Sequence, residues 1–111
     1  MCEGRNEPIE VFQTRRFEKA LDKLSDAVLK LVEDEIDKII VDPHLGDLKK
    51  GDLNYLRVHK FHIQKQLMLL GYSWLEQKLE LYLLSVSSHE NFYKEMKRAR
   101  SADLHFIVSP E

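Results

Sequence analysis

From Val28 to Ile40 the apolar residues recur at steps of three and four: Val28, Leu31, Val32, Ile36, Ile39 and Ile40. That period predicts a long amphipathic helix with one buried stripe. Ser25 is placed to cap it, and Asp26 suits the positive end of the helix. It should stop before Asp42-Pro43, because the residue preceding proline avoids helical dihedrals. Upstream, Phe17, Ala20, Leu21 and Leu24 share one face of a shorter helix over residues 15–23, with Thr14 as its cap. Joined at about Leu24-Ser25, the two form a helical hairpin. Before them, Pro8 to Gln13 roughly alternates apolar and polar, as a half-buried strand does.

After Asp42 the period changes. Residues 42–55 hold Pro43, Gly46, Gly51, three aspartates and Asn54, and read as a loop. Leu56 to Gln64, Leu67 to Leu75 and Leu79 to Ser87 read as strands, with turns at Lys65-Gln66 and Glu76-Gln77. The second and third strands are apolar on both faces, so they belong in the middle of a covered sheet. His89 to Arg100 is helical, capped by Ser88, with Phe92, Met96 and Ala99 facing inward. Leu104 to Val108 fits either an added strand or a tail. The expected fold is α+β and two-layered: an N-terminal strand, a helical hairpin, a three-stranded antiparallel meander and a C-terminal helix. The expected core is Val11, Phe17, Leu21, Val28, Val32, Ile36, Ile39, Leu69, Leu81, Leu83 and Phe92. A single domain spans 1–111, with 1–7 and 101–111 flexible or peripheral.

Composition narrows the function classes. The 111 residues carry 17 Lys+Arg against 19 Asp+Glu, a net charge of −2, so nucleic-acid binding would need a local basic patch. Such a patch exists. Residues 22–42 carry seven carboxylates against three lysines, whereas residues 49–66 carry five cations against Asp52. Cys2 is the only cysteine, which excludes internal disulfides and cysteine zinc sites. Neither a membrane-spanning stretch nor a signal peptide is visible, which leads to the expectation of a cytoplasmic protein.

The chemistry-bearing residues cluster in the back half. Arg57 and His59 are two apart and share a strand face; Lys60 and His62 share the opposite one. His89 and Tyr93 are four apart at the start of the last helix, whose N-terminus carries partial positive charge. His59 and His62 point to opposite faces with no carboxylate completing a ligand set, so no metal site is expected. Structural alternatives stand beside these: His89 as a helix cap, Tyr93 at the rim of the core, and Arg57 paired with Glu76 or Glu80.

Three stretches resemble the RelE/ParE superfamily of bacterial type II toxins. They are Asp42-Pro43 through Phe61, Gln66 through Tyr72, and Ser88-His89-Glu90-Asn91-Phe92-Tyr93 through Arg98. The resemblance covers roughly residues 8 to 98. It implies a toxin neutralised by a cognate antitoxin. Its leading form is a ribosome-dependent endoribonuclease that cuts mRNA without metal or other cofactor. The alternatives are a DNA gyrase inhibitor acting by protein binding, or a non-catalytic member of the fold. Residue by residue, the resemblance implies His89 as general acid and His59 or Lys60 as base or phosphate ligand. Arg57 would face the phosphorane charge, and Tyr93 would stack on a base. Lys49, Lys50, Lys60 and Lys65 supply the basic surface for phosphates or for an antitoxin's carboxylates. The strand at Gln66-Leu67 lacks the arginine that many ribosome-dependent members carry there.

Overall fold

Thr14 ends the first strand and starts the first helix with one hydroxyl. Its Oγ1 accepts from the Phe17 N–H at 3.0 Å and donates to the Leu84 carbonyl at 2.8 Å. The computed structural model, which describes residues 8–108, builds outward from this corner. The expectation for residues 1–7 lies outside the described residues. Strand β1 (Glu10–Gln13) leads into α1 (Arg15–Asp22) and α2 (Asp26–Val41). Ser25 caps α2 by accepting from the Val28 N–H at 3.3 Å. Short β2 (Asp47–Leu48) and a 3₁₀ turn at Gly51–Leu53 occupy the expected loop. Then come β3 (Arg57–Ile63), β4 (Gln66–Leu75), β5 (Glu80–Ser88) and α3 (His89–Val108).

The fold is α+β, with the expected meander. Strand order in the sheet is β1-β5-β4-β3-β2; β1 runs parallel to β5 and the other pairs are antiparallel. The hairpin buries Phe17, Val32 and Ile39 on one face, against Phe61, Ile63, Leu70, Leu81 and Leu83. Helix α3 buries Phe92 and Met96 on the other, against Leu56, Val58, Leu69, Tyr82 and Leu84. This two-sided covering explains why β4 and β5 carry apolar residues on both faces. Gly71 lets α3 approach: a Cβ there would stand 2.7 Å from Phe92 Cζ and 3.0 Å from Leu56 Cδ1.

Three details depart from the pattern-based expectations. The β3–β4 turn is Gln64–Lys65, one residue earlier than expected, with Ile63 paired to Gln66. Both turn residues have positive φ, 51° and 73°, which matches the twist of a two-residue hairpin. Leu104–Val108 is neither strand nor tail; it continues α3, fastened by buried Asp103. Arg16 of α1 holds that carboxylate through Nη1 at 3.3 Å and Nη2 at 3.0 Å. Val11 was expected in the core but is 43% exposed, because β1 is an edge strand that the hairpin leaves partly uncovered.

Candidate functional site

Strand β3 divides the basic residues between the two faces of the sheet. Arg57, His59, Phe61 and Ile63 point toward the hairpin, whereas Val58, Lys60 and His62 point toward α3. The hairpin side is fully engaged. His59 Nε2 meets Glu35 Oε1 of α2 at 2.7 Å and stacks on Phe61 with ring centroids 5.6 Å apart. Burial pushes the Glu35 carboxyl up, but hydrogen bonds from His59 and Lys38 outweigh it and hold the group below its ordinary value.

Arg57 is bound to the loop before β2. Its Nη1 donates to the Gly46 carbonyl at 2.9 Å, and its Nη2 donates to His44 Nδ1 at 3.2 Å. With Nδ1 accepting from the guanidinium, Nε2 of His44 donates to Glu76 Oε1 at 3.0 Å. Beneath, the Tyr72 hydroxyl accepts from the Gly46 N–H at 2.8 Å and donates to the Pro43 carbonyl at 2.7 Å. Burial raises the pKa of this phenol. The loop over residues 42–46 is thereby fixed from below. Arg57 reaches Glu76 through His44, so the alternative of a direct Arg57–Glu76 contact takes a mediated form.

On the α3 side, where the helix covers β4 and β5, the outward residues of β3 are left open. Lys60 and His62 are exposed on β3, and His89 is exposed where β5 passes directly into α3. One turn on, Tyr93 is half-buried and edge-on to Phe92, with centroids 5.1 Å apart. Lys49 Nζ lies 5.5 Å from the centroid of the Tyr93 ring, within the range of cation–π attraction. The ladder His62↔Leu67 and Met68↔Ser88 sets His62 and the start of α3 at the same end of the sheet. Two strand spacings, about 10 Å, separate them. Lys65 sits in the turn at this end, and Lys50 precedes the 3₁₀ turn; both are exposed.

Of the residues read from the sequence, the fold thus brings Lys49, Lys60, His89 and Tyr93 to one face. It puts Arg57 and His59 on the other, behind the sheet. His62, not chosen from the sequence, joins the first group. Its signal was present: period-two alternation already sets His59 with Phe61 and Ile63, the residues that a hairpin would cover. Among the described residues, no three His, Cys, Asp or Glu side chains gather as a metal set. No helix there is long and apolar enough to cross a membrane.

A sequence model of the ParE-like toxins of type II bacterial toxin–antitoxin systems matches residues 11–97. No curated protein sequence matches the chain. Solved structures with the same fold include the RelBE2 toxin–antitoxin complex of Mycobacterium tuberculosis. That match has a TM-score of 0.62 at 19% identity, over 75% of this chain and 100% of that one. The isolated RelE toxin of Escherichia coli matches with TM-score 0.58 at 17% identity, over 82% and 98%. The intact E. coli RelBE complex matches with TM-score 0.59 at 16% identity, over 73% and 96%.

Proposed function

The chain belongs to the ParE-like toxin family of type II bacterial toxin–antitoxin systems, and from that premise we propose that it is a toxin that cleaves mRNA on the ribosome through the α3 face of its sheet. Its cognate partner is an antitoxin, as in the RelBE complexes that share the fold. The observation that carries the reading is the Lys49–Tyr93 pair beside exposed His89. An aromatic ring for a base, a fixed cation for a phosphate and an imidazole for a proton then stand on one surface.

Metal-free RNA cleavage needs three things. A proton must leave the attacking 2′-hydroxyl, the anionic phosphorane must be stabilised, and a proton must reach the departing 5′-oxygen. Histidine suits both transfers because its ordinary pKa lies near neutrality. In this assignment His89 is the general acid and His62 or Lys60 the base. Lys49 and Lys60 face the phosphorane charge, and Tyr93 stacks on a base. Lys50 and Lys65 extend the phosphate surface. Arg57 and His59 act as positioning residues that hold the loop and the hairpin.

A second reading has its own support. The engagement of Arg57 and His59 behind the sheet leaves the open face without an arginine among those candidates. A gyrase inhibitor acting by binding needs none. Primer-extension mapping of translated messages after induction, run beside a gyrase supercoiling assay, decides. New message ends with normal supercoiling support the nuclease; intact messages with lost supercoiling overturn it.

A further inference from the structure

Strand β2 is the last strand of the sheet. Just past it, Lys49 donates its N–H to the Leu56 carbonyl at 2.9 Å, and within it Asp47 stands opposite Val58. Backbone groups alternate in direction along an antiparallel strand. With Asp47 and Lys49 turned toward β3, the N–H and C=O of Leu48 between them point outward, where no strand of the described residues lies. This edge is open: Asp47 and Leu48 are both exposed, Leu48 by 54%.

The rim around it is apolar. Val41, at the end of α2, is 82% exposed and Leu45 is 41% exposed. These two line a shallow hollow of about 360 Å³ with Asp37 and Lys38. Half of the large hydrophobic residues exposed among the described residues therefore fall within 41–48. A cluster of this kind marks a contact surface, whereas scattered ones do not. The charges are placed in step with it. Val58 and Leu56 belong to the α3-side core, so Asp47 and Lys49 face that side, and Leu48, opposite Arg57, faces the hairpin. Neither Asp47 nor Lys49 takes part in an ion pair among the described residues.

We propose that β2 pairs antiparallel with β2 of a second copy of this chain, about a two-fold axis at Leu48, joining the two sheets edge to edge. In that register the two Leu48 residues exchange their outward N–H and C=O bonds. Asp47 of each copy stands opposite Lys49 of the other. A two-fold interface must be self-complementary, and Asp47-Leu48-Lys49 is: reversed against itself, it sets opposite charges together on either side of an apolar centre. A uniformly acidic or basic strand would complete the same edge but would meet one of the two charges with its own sign. An interface on so short a strand belongs to the small, weak class, so the dimer forms at high concentration.

The pairing also reaches the site proposed above. Asp47 and Lys49 of opposite copies form a pair without backbone bonds between them, with Cα atoms about 4.5 Å apart. This is the same Lys49 that lies over the Tyr93 ring. The second copy thereby sets a carboxylate against the cation assigned to a phosphate, and the dimer is the closed state of that surface. Only this consequence rests on the toxin reading.

The test uses the full chain. Sedimentation velocity from micromolar to millimolar concentration should show a reversible dimer, and hydrogen exchange at the Leu48 amide should slow as it forms. Asp47→Lys and Lys49→Asp each set like charges together and should each weaken association about tenfold or more. Mixed in equal amounts, the two variants should associate with each other, because each supplies the charge that the other lacks. A chain that stays monomeric throughout overturns the proposal. So does a dimer whose Leu48 amide exchanges as fast as in the monomer, or a mixture that associates no better than either variant alone. Protection of the Leu48 amide by the product of a neighbouring gene, with the chain alone monomeric, overturns the choice of a second copy. Message cleavage is measured separately. Its rate per chain should fall as the dimer forms in the parent and stay level in Asp47→Lys; a level rate in the parent overturns the closed state. A chain that dimerises without cleaving leaves the edge pairing standing and removes the nuclease reading; cleavage by a chain that never dimerises does the reverse.

Discussion

Glu35 on α2 and His59 on β3 meet at 2.7 Å across the interface of hairpin and sheet, with side chains only 17% and 12% exposed. The pair ties α2 to the sheet and engages the His59 ring there, which is why the proposed reading leaves His59 out of the proton-transferring groups. Three stability consequences and two functional ones follow from this and other contacts.

The first is a pH dependence. The Glu35 carboxyl is held below its ordinary value of 4.5 in the folded chain. Its contribution is therefore complete above about pH 4.5 and is lost as pH falls through the lower folded value. Urea melts from pH 6 to pH 3 should show a steeper acid-side loss for the parent chain than for Glu35→Gln. Parallel slopes would show that the pair does not stabilise the fold.

His89→Gln and His59→Gln should separate chemistry from architecture. Glutamine at 89 keeps a polar head but shuttles no proton, so cleavage and growth arrest should fall by roughly 10²–10⁴-fold with an unchanged melt. His59→Gln should lower the melting temperature, while the rate per folded molecule stays near that of the parent. The reverse result would return His59 to the reacting groups.

Tyr93→Ala should weaken RNA binding by about 1–3 kcal/mol if the ring stacks on a base, whereas Tyr93→Phe should keep most of it. Lys49→Ala should reduce cleavage without changing which codon is cut, since a phosphate contact carries no sequence information. Mapped cleavage sites on one message check both. A shifted codon preference in Lys49→Ala would place that lysine against a base.

The Gln64–Lys65 turn is a site for stabilisation. A non-glycine residue at positive φ costs roughly 1–2 kcal/mol, and Asn-Gly is the sequence such a turn favours. The double variant Gln64→Asn, Lys65→Gly should raise stability by about 1 kcal/mol. Denaturant melts check this, and an unchanged or lowered midpoint would mean that the two side chains make contacts worth more than the strain.

Gly71→Ala works in the opposite direction. A Cβ 2.7 Å from Phe92 forces α3 away from β4. Overpacking of this kind costs about 1–3 kcal/mol. The shift should be visible in thermal melts and in faster amide exchange along α3.

The sequence by itself determined the elements and their order. Apolar steps of three and four marked both hairpin helices, caps at Thr14 and Ser25 marked their starts, and the two-faced strands announced a central place in a covered sheet; that the cover lies on both faces, the hairpin on one and α3 on the other, was decided by the tertiary structure. These signals are local: they depend on dihedral preferences and on periodicity within one segment. It also determined that Arg57 and His59 share one face of β3 and Lys60 and His62 the other. Which of those faces stays open was decided by the tertiary structure. Helix α2 brings Glu35 against His59, and the loop at Gly46 takes Arg57, so the pair nearest the expected chemistry is used for packing. The fate of Leu104–Val108 was decided the same way. A buried carboxylate needs a partner, and Arg16, distant in the chain, supplies it to Asp103 and keeps the last turns of α3 on the sheet. Contacts between segments far apart in the chain leave no period to read, which is why the face proposed to meet a substrate could be picked out only after the fold was known.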